Sequence, residues 1–200
     1  MRRIYLWTIG VLMVAALCAC VSLQPSPTPL SKAQSAVVKL AYLDGTCSGT
    51  LIGPSLILTA RHCEDTGKPL KANGVPITVQ SQIEDGRDHV IYRIAETFPH
   101  WATFSPRKMQ QGDEVFIIGN PRVLENQYRH GYVSGDYAGP KGAARLVDIN
   151  GWYGDSGAGI FDTQGRLVGV YSGIIGEEIF VLGVAYKLGF DAGEFKRITQ

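Results

Sequence analysis

The sequence predicts an all-β protein built around a compact core, and three observations carry that expectation. Glycine supplies 24 of 200 residues, above the usual roughly 7%, while only 18% of residues are charged against a usual ~25%. Short apolar, β-branched runs recur about every ten residues, separated by Gly, Pro, Asp and Asn, which is the spacing of sandwiches and barrels. Helical periodicity is confined to the tail. This composition excludes disorder, collagen, coiled coil and a polytopic membrane protein. The net charge of +1 gives no general attraction to nucleic acid or to an anionic surface.

The first twenty residues differ from the rest. Arg2 and Arg3 precede an uncharged apolar run, Ile4 to Ala19, and Leu17-Cys18-Ala19-Cys20 follows at its end. A basic start and a short apolar stretch are the requirements of a secretory signal, and the run falls short of the ~20 residues of a spanning helix. The four closing residues resemble a bacterial lipobox, which implies cleavage before Cys20 and lipidation of that cysteine. Residues 1–19 are therefore read as a lipoprotein-type signal peptide, with an ordinary secretory signal and an uncleaved anchor as the alternatives. Its removal takes away Arg2 and Arg3, so the net charge falls from +1 to −1. Residues 20–34, with Pro25, Pro27 and Pro29, read as an extended tether, and residues 35–200 as the folded domain.

Within that domain the expected strands are 36–42, 49–52, 55–59, 76–80, 89–94, 114–118, 127–134, 145–149, 157–161, 167–172 and 179–185. Thr163-Gln164-Gly165 marks a hairpin turn between two of them. The stretch from Thr97 to Asp113, with Pro99, Pro106 and Gly112, separates two lobes, about 35–100 and 112–190. Residues 191–198 form a short terminal helix. With Cys18 discarded and Cys20 lipidated, Cys47 and Cys63 are left as a pair in an oxidising compartment, either bridged or as two buried thiols. A zinc site is disfavoured, because no CxxC pair exists and the four histidines are scattered.

Two segments carry chemistry. One is Cys47-Ser48-Gly49-Thr50-Leu51-Ile52 followed by Leu58-Thr59-Ala60-Arg61-His62-Cys63; the other is Gly154-Asp155-Ser156-Gly157-Ala158-Gly159. A serine hydroxyl becomes nucleophilic when a histidine accepts its proton, and a buried carboxylate holds that histidine in the required tautomer. Glycine before the serine lets backbone N–H groups turn toward a developing oxyanion.

These segments resemble the chymotrypsin-like (trypsin-like) serine peptidases over roughly Ala36 to Lys187. The resemblance implies two packed six-stranded antiparallel β-barrels with the active site in the cleft between them. It implies His62 as base, Ser156 as nucleophile, a Cys47–Cys63 disulfide, and an oxyanion hole from the Gly154 and Ser156 amides. Asp88, which opens the apolar run His89-Val90-Ile91-Tyr92-Arg93-Ile94, takes the place of the orienting carboxylate, with Glu84 and Asp85 as nearby competitors. Val115-Phe116-Ile117-Ile118-Gly119-Asn120-Pro121 and Gly131-Tyr132-Val133-Ser134-Gly135 look like compact bacterial members, including the HtrA branch, with no chain left for a PDZ domain.

The same resemblance places Asn150 at the base of the substrate pocket and Ser172, Gly173, Ile174 and Gly183 in its walls. Asn150 in place of an acid implies an uncharged, small residue on the acyl side of the cleaved bond. Trp152 and Tyr153 either narrow the entrance or pack between strands. No Arg-Ile-Val-Gly-Gly-like activation site is present, so Asp155 is expected to be held by local donors, and a chain starting near Lys32 to be active. The implied function is a serine endopeptidase exported to the cell envelope and tethered there by lipid, acting on protein or peptide with no metal or organic cofactor. Two other functions compete: an inactive binding module of the same fold, and an esterase using the same groups. An α/β-hydrolase is excluded, because its histidine follows the serine, whereas His62, His89, His100 and His130 all precede Ser156.

Overall fold

The computed structural model of the chain describes residues 26–177, 180–190 and 192–199. The expected export signal, Cys20 and the start of the tether lie outside these residues. A short helix, α1 (Pro29–Ala36), leads into two seven-stranded sheets, and a terminal helix, α2 (Ala192–Thr199), closes the chain.

The first sheet contains β1 (Val37–Ala41), β2 (Thr46–Gly53), β3 (Leu56–Ala60), β4 (Lys71–Ala72), β5 (Val75–Pro76), β6 (Val79–Glu84) and β7 (His89–Ile94), in the order β5-β4-β1-β2-β3-β7-β6. The second contains β8 (Glu114–Gly119), β9 (Gln127–Gly139), β10 (Gly142–Val147), β11 (Gly159–Asp162), β12 (Leu167–Val170), β13 (Gly173–Glu177) and β14 (Phe180–Tyr186), in the order β12-β11-β8-β9-β10-β14-β13. All strand pairings are antiparallel. This is the expected double-barrel architecture. Each sheet has seven strands rather than six: the first includes the two-residue strands β4 and β5, and the second ends on the edge strand β13.

Burial explains why the pattern folds this way. Strand β3 is buried along its whole length, so it reads as a continuous apolar run rather than an alternating one. Ile57 faces a core with Leu40, Leu51, Val90 and Tyr92 inside the first barrel. Its neighbour Leu58 points the other way, into a layer with Ile91, Phe116, Ile118 and Phe161 between the barrels. The second barrel has its own core of Val115, Ile117, Val133, Val147, Ile149, Ile160 and Tyr171. The connector between β7 and β8 crosses without strand structure of its own and is tied down by Ala102 N–H on the Leu51 carbonyl and Ser105 N–H on that of Leu167.

Several elements differ from expectation for identifiable reasons. The tether is not extended throughout: Thr28 caps α1 by accepting the Ser31 amide at 3.1 Å, and Pro29 occupies the first turn, where its missing N–H costs nothing. Ala33 and Ala36 of this helix are fully buried in the layer between the barrels. A chain starting at Lys32 would cut the helix in half, so the minimal start moves to Thr28 or earlier. The expected strand 76–80 is split, since Pro76 cannot donate to a ladder. Strand β10 begins at Gly142 instead of 145, because the long β9 carries its partner outward into a hairpin. The hairpin at Thr163-Gln164-Gly165 forms as expected, with the Asp162 side chain accepting the Gln164 and Arg166 amides.

Because α1 docks through two small buried residues, Ala33→Glu should unseat it and lower unfolding stability by roughly 2–3 kcal/mol. Urea unfolding of the variant beside the parent chain checks this.

Candidate active site

His62 lies in the first turn of a 3₁₀ helix, Arg61–Thr66, that begins where β3 ends. A disulfide from Cys63 to Cys47 on β2 pins this turn to the sheet, as the sequence resemblance implied. Asp88 immediately precedes β7, at the end of a tight loop in which Asp85 Oδ1 accepts the Arg87 and His89 amides at 2.9 and 3.3 Å. The Asp88 carbonyl accepts the Arg61 N–H at 2.9 Å, which brings the two loops together. Ser156 comes from the other barrel, on the loop before β11, and its carbonyl accepts the Ser48 N–H across the cleft at 2.8 Å.

These placements produce a continuous hydrogen-bonded line. His62 Nδ1 lies 2.9 Å from Asp88 Oδ2 and 3.1 Å from Oδ1, and His62 Nε2 lies 2.8 Å from Ser156 Oγ. With the proton on Nδ1 donated to the carboxylate, Nε2 is free to accept from the hydroxyl. The two competing acids are engaged elsewhere. Asp85 pairs with His89 at 2.6 Å, both fully buried, and Glu84 pairs with Arg61 at 2.8 Å. Asp88 is itself buried, which opposes ionisation; hydrogen bonds and positive charge from His62 and Lys141 outweigh burial and hold its carboxyl below the usual range. The stability this contributes is present above ordinary carboxyl titration, near pH ~4, and is lost as pH falls through the folded-state value.

The loop carrying Ser156 is braced from both sides. Buried Ser48 donates its hydroxyl to the Gly154 carbonyl at 2.8 Å and accepts the Asn120 amide at 2.9 Å. Gly154 has φ +102°, and a Cβ there would collide with the backbone of Asn120 and Arg122, so only glycine fits. Asp155 points inward and is fully buried. It forms a two-pronged ion pair with Arg129 at 2.6 and 2.8 Å and accepts the Trp152 amide at 2.7 Å, so its donors are local ones. The amides of Asp155, Gly157 and Ala158 are used within the fold, on Trp152, Tyr171 and Asp155 carbonyls. Among the described residues the Gly154 and Ser156 amides have no partner, and both residues line the cleft.

That cleft has a volume of about 890 Å³ and is bordered by His62, Ser156, Ser172, Gly173 and Ile174, with Trp152 and Tyr153 at its mouth. Both aromatics are exposed, and Arg122 stacks over the Tyr153 ring at 5.6 Å, so they stand at the entrance and do not pack between strands. The two remaining expected pocket residues differ. Asn150 lines the cleft and is exposed there, and its carbonyl accepts from Arg129 at 3.1 Å. Gly183 does not line the cleft; it is buried behind the ring of Tyr171, which threads between Gly151 and Gly183 so closely that a Cβ on either would clash with it. The Tyr171 hydroxyl is anchored on the Ile149 carbonyl at 2.9 Å. Among the described residues no three His, Cys, Asp or Glu side chains are grouped to hold a metal ion.

Residues 47–170 match the trypsin-like peptidase domain family, a span that contains all the residues of this hydrogen-bonded line. The chain belongs to the trypsin-like peptidases. Among solved structures, the active form of the Rv3671c protease from M. tuberculosis superposes with a TM-score of 0.70 at 19% identity, covering 86% of this chain and 84% of that one. An inactive form of Rv3671c gives a TM-score of 0.66 at 19% identity, with 89% and 95% covered. Deg5 gives 0.60 at 19% identity, with 84% and 89% covered. No curated protein matches the chain. At these identities the structural likeness establishes the fold, and the family match establishes a peptidase, with protein or peptide as its substrate.

Within this peptidase, sequence reasoning missed Ser48, Arg129, Lys141 and Tyr171. Ser48 adjoins a recognised motif, but its partners lie 72 and 106 residues away. Arg129 carries no local signal, because its role depends on the β8–β9 pairing that sets it beside Asp155. Arg129→Met strands a buried carboxylate and should cost about 3–5 kcal/mol of stability. Ser48→Ala, which orphans one carbonyl and one amide, should cost about 1–3 kcal/mol. Chemical denaturation of both variants measures these losses.

Proposed function

We propose that the chain is a serine endopeptidase, exported to the cell envelope and tethered there through lipidated Cys20. The observation that carries the catalytic reading is the unbroken line from Asp88 through His62 to Ser156 Oγ. In this reading His62 Nε2 takes the Ser156 proton as Oγ bonds to the peptide carbonyl carbon. The carbonyl oxygen, now negative, is received by the Gly154 and Ser156 amides, which have no competing partner among the described residues. His62 returns the proton to the leaving amine as the C–N bond breaks. Water then attacks the acyl-enzyme with the same base, releasing the acid and restoring Ser156. Asp88 keeps Nδ1 protonated and stabilises the imidazolium formed at each attack. Arg129 supports the reading in which no newly cleaved N-terminus is needed, since it already neutralises Asp155.

Tyr171 supports a narrow pocket. Its ring occupies the space between Gly151 and Gly183 into which a long side chain next to the cleaved bond would extend. The substrate class is therefore peptide with a small uncharged residue, such as Ala, Ser or Val, on the acyl side. The esterase alternative shares the acyl-enzyme and separates from this one by peptide turnover. The inactive-module alternative predicts no labelling at all.

Ser156→Ala should abolish labelling by a fluorophosphonate probe that modifies the parent chain; persistent labelling of the variant would overturn the assignment. A peptide library should show preference for small uncharged residues, shifting toward Leu and Phe in Tyr171→Val, whereas a dominant Lys or Arg preference contradicts the pocket described.

A further inference from the structure

The catalytic reading uses Asp88 through Oδ2, and Oδ1 has a second partner that this reading does not employ. Lys141 Nζ lies 2.7 Å from Asp88 Oδ1. Lys141 sits at the tip of the β9–β10 hairpin, in the two-residue turn Pro140-Lys141 between the paired residues Gly139 and Gly142. The contact therefore crosses from the second barrel to the loop of the first barrel that carries Asp88. Gly142, at φ +104°, lies over the Arg87 side chain, so the hairpin tip rests on that same loop. Proline beside the lysine restricts the turn.

We propose that Lys141 is a positioning residue for the Asp88–His62 pair, one that holds the carboxylate in register and extends peptidase activity to lower pH. The proposal rests on the serine-peptidase reading above. Two effects follow from one contact. By occupying Oδ1, the ammonium fixes the carboxylate plane so that Oδ2 stays on His62 Nδ1. By sharing the carboxylate's charge, it weakens the pull of Asp88 on an imidazolium and so favours the neutral ring that accepts the Ser156 proton.

The other charged groups around Asp88 are already paired. Arg61, on the 3₁₀ helix, is bound by Glu64 and by Glu84 of β6. Asp85 and His89 bind each other on the far side of the loop. Arg87 donates to the Lys187 carbonyl. Among the described residues Lys141 is thus the Lys or Arg cation in direct contact with the Asp88 carboxylate, and at 40% exposure it is within reach of salt.

The test compares pH profiles of kcat/KM for the 200-residue chain and for Lys141→Met on a small-residue peptide. The expected result is an acidic limb moved upward by roughly half to one pH unit, with kcat several-fold lower at the optimum. Lys141→Arg should restore the parent profile, and 1 M salt should shrink the difference between parent and Lys141→Met. A limb that stays in place in Lys141→Met, whether or not kcat falls, overturns the proposal, because a purely structural hairpin contact would lower kcat alone. The NMR signal of the His62 Nδ1 proton gives the same answer without turnover: it should persist in Lys141→Met, with its titration moved upward. If the parent chain neither cleaves peptide nor reacts with a fluorophosphonate, the peptidase reading fails, and this NMR titration still decides whether Lys141 acts on the pair.

Discussion

Ser48 joins the two halves of this protein at the point where its chemistry is assembled. Its amide holds the Ser156 carbonyl, its hydroxyl holds the Gly154 carbonyl and the Asn120 amide, and its own carbonyl accepts the Thr59 hydroxyl. One fully buried residue on β2 therefore sets the position of the serine loop of the second barrel against the histidine turn of the first. A site divided between two barrels needs such a tie, because hydrogen-bond reach between Oγ and an imidazole tolerates little sliding. Burial makes the tie strong: the amide, hydroxyl and carbonyl of Ser48 are all satisfied by protein, and separation would leave them and their partners unpaired at once.

Charge is managed by the same logic. Asp85, Asp88 and Asp155 are all removed from water around the site, and each has a dedicated cation or imidazole. Asp155 and Arg129 brace the serine loop from below, while Asp85 and His89 fix the loop that presents Asp88. Asp88 is contacted from both barrels, by His62 and by Lys141, which makes it an electrostatic link between the halves as Ser48 is a hydrogen-bonded one. The disulfide adds a covalent constraint at the neighbouring turn, worth roughly 3 kcal/mol for a loop of this length.

Much of this was legible from residue order. The strand at 89–94, the Thr163-Gln164-Gly165 hairpin, the terminal helix and the Cys47–Cys63 pair all depend on local patterning or on parity, and the structure contains each of them. His62, Asp88 and Ser156 were named from two short motifs and the opening of a strand, and they converge. Helix α1 was misread because three prolines outweighed the Thr28-Pro29 start signal, although that signal was present. Gly183 was placed in the pocket wall by analogy, and the Tyr171 ring lies between it and Gly151 instead.

The division between the two levels has a physical cause. Backbone periodicity, turn chemistry and motif spacing act over a few residues, so fold class, strand positions and the reacting groups can be read in one dimension. Ser48, Arg129, Lys141 and Tyr171 act on residues brought to them by sheet register and by the packing of one barrel on the other. Their partners include residues 53 and 106 positions away along the chain. What a side chain meets across such a seam depends on volumes and hydrogen-bond vectors in three dimensions, and these exist only once both barrels have formed and docked.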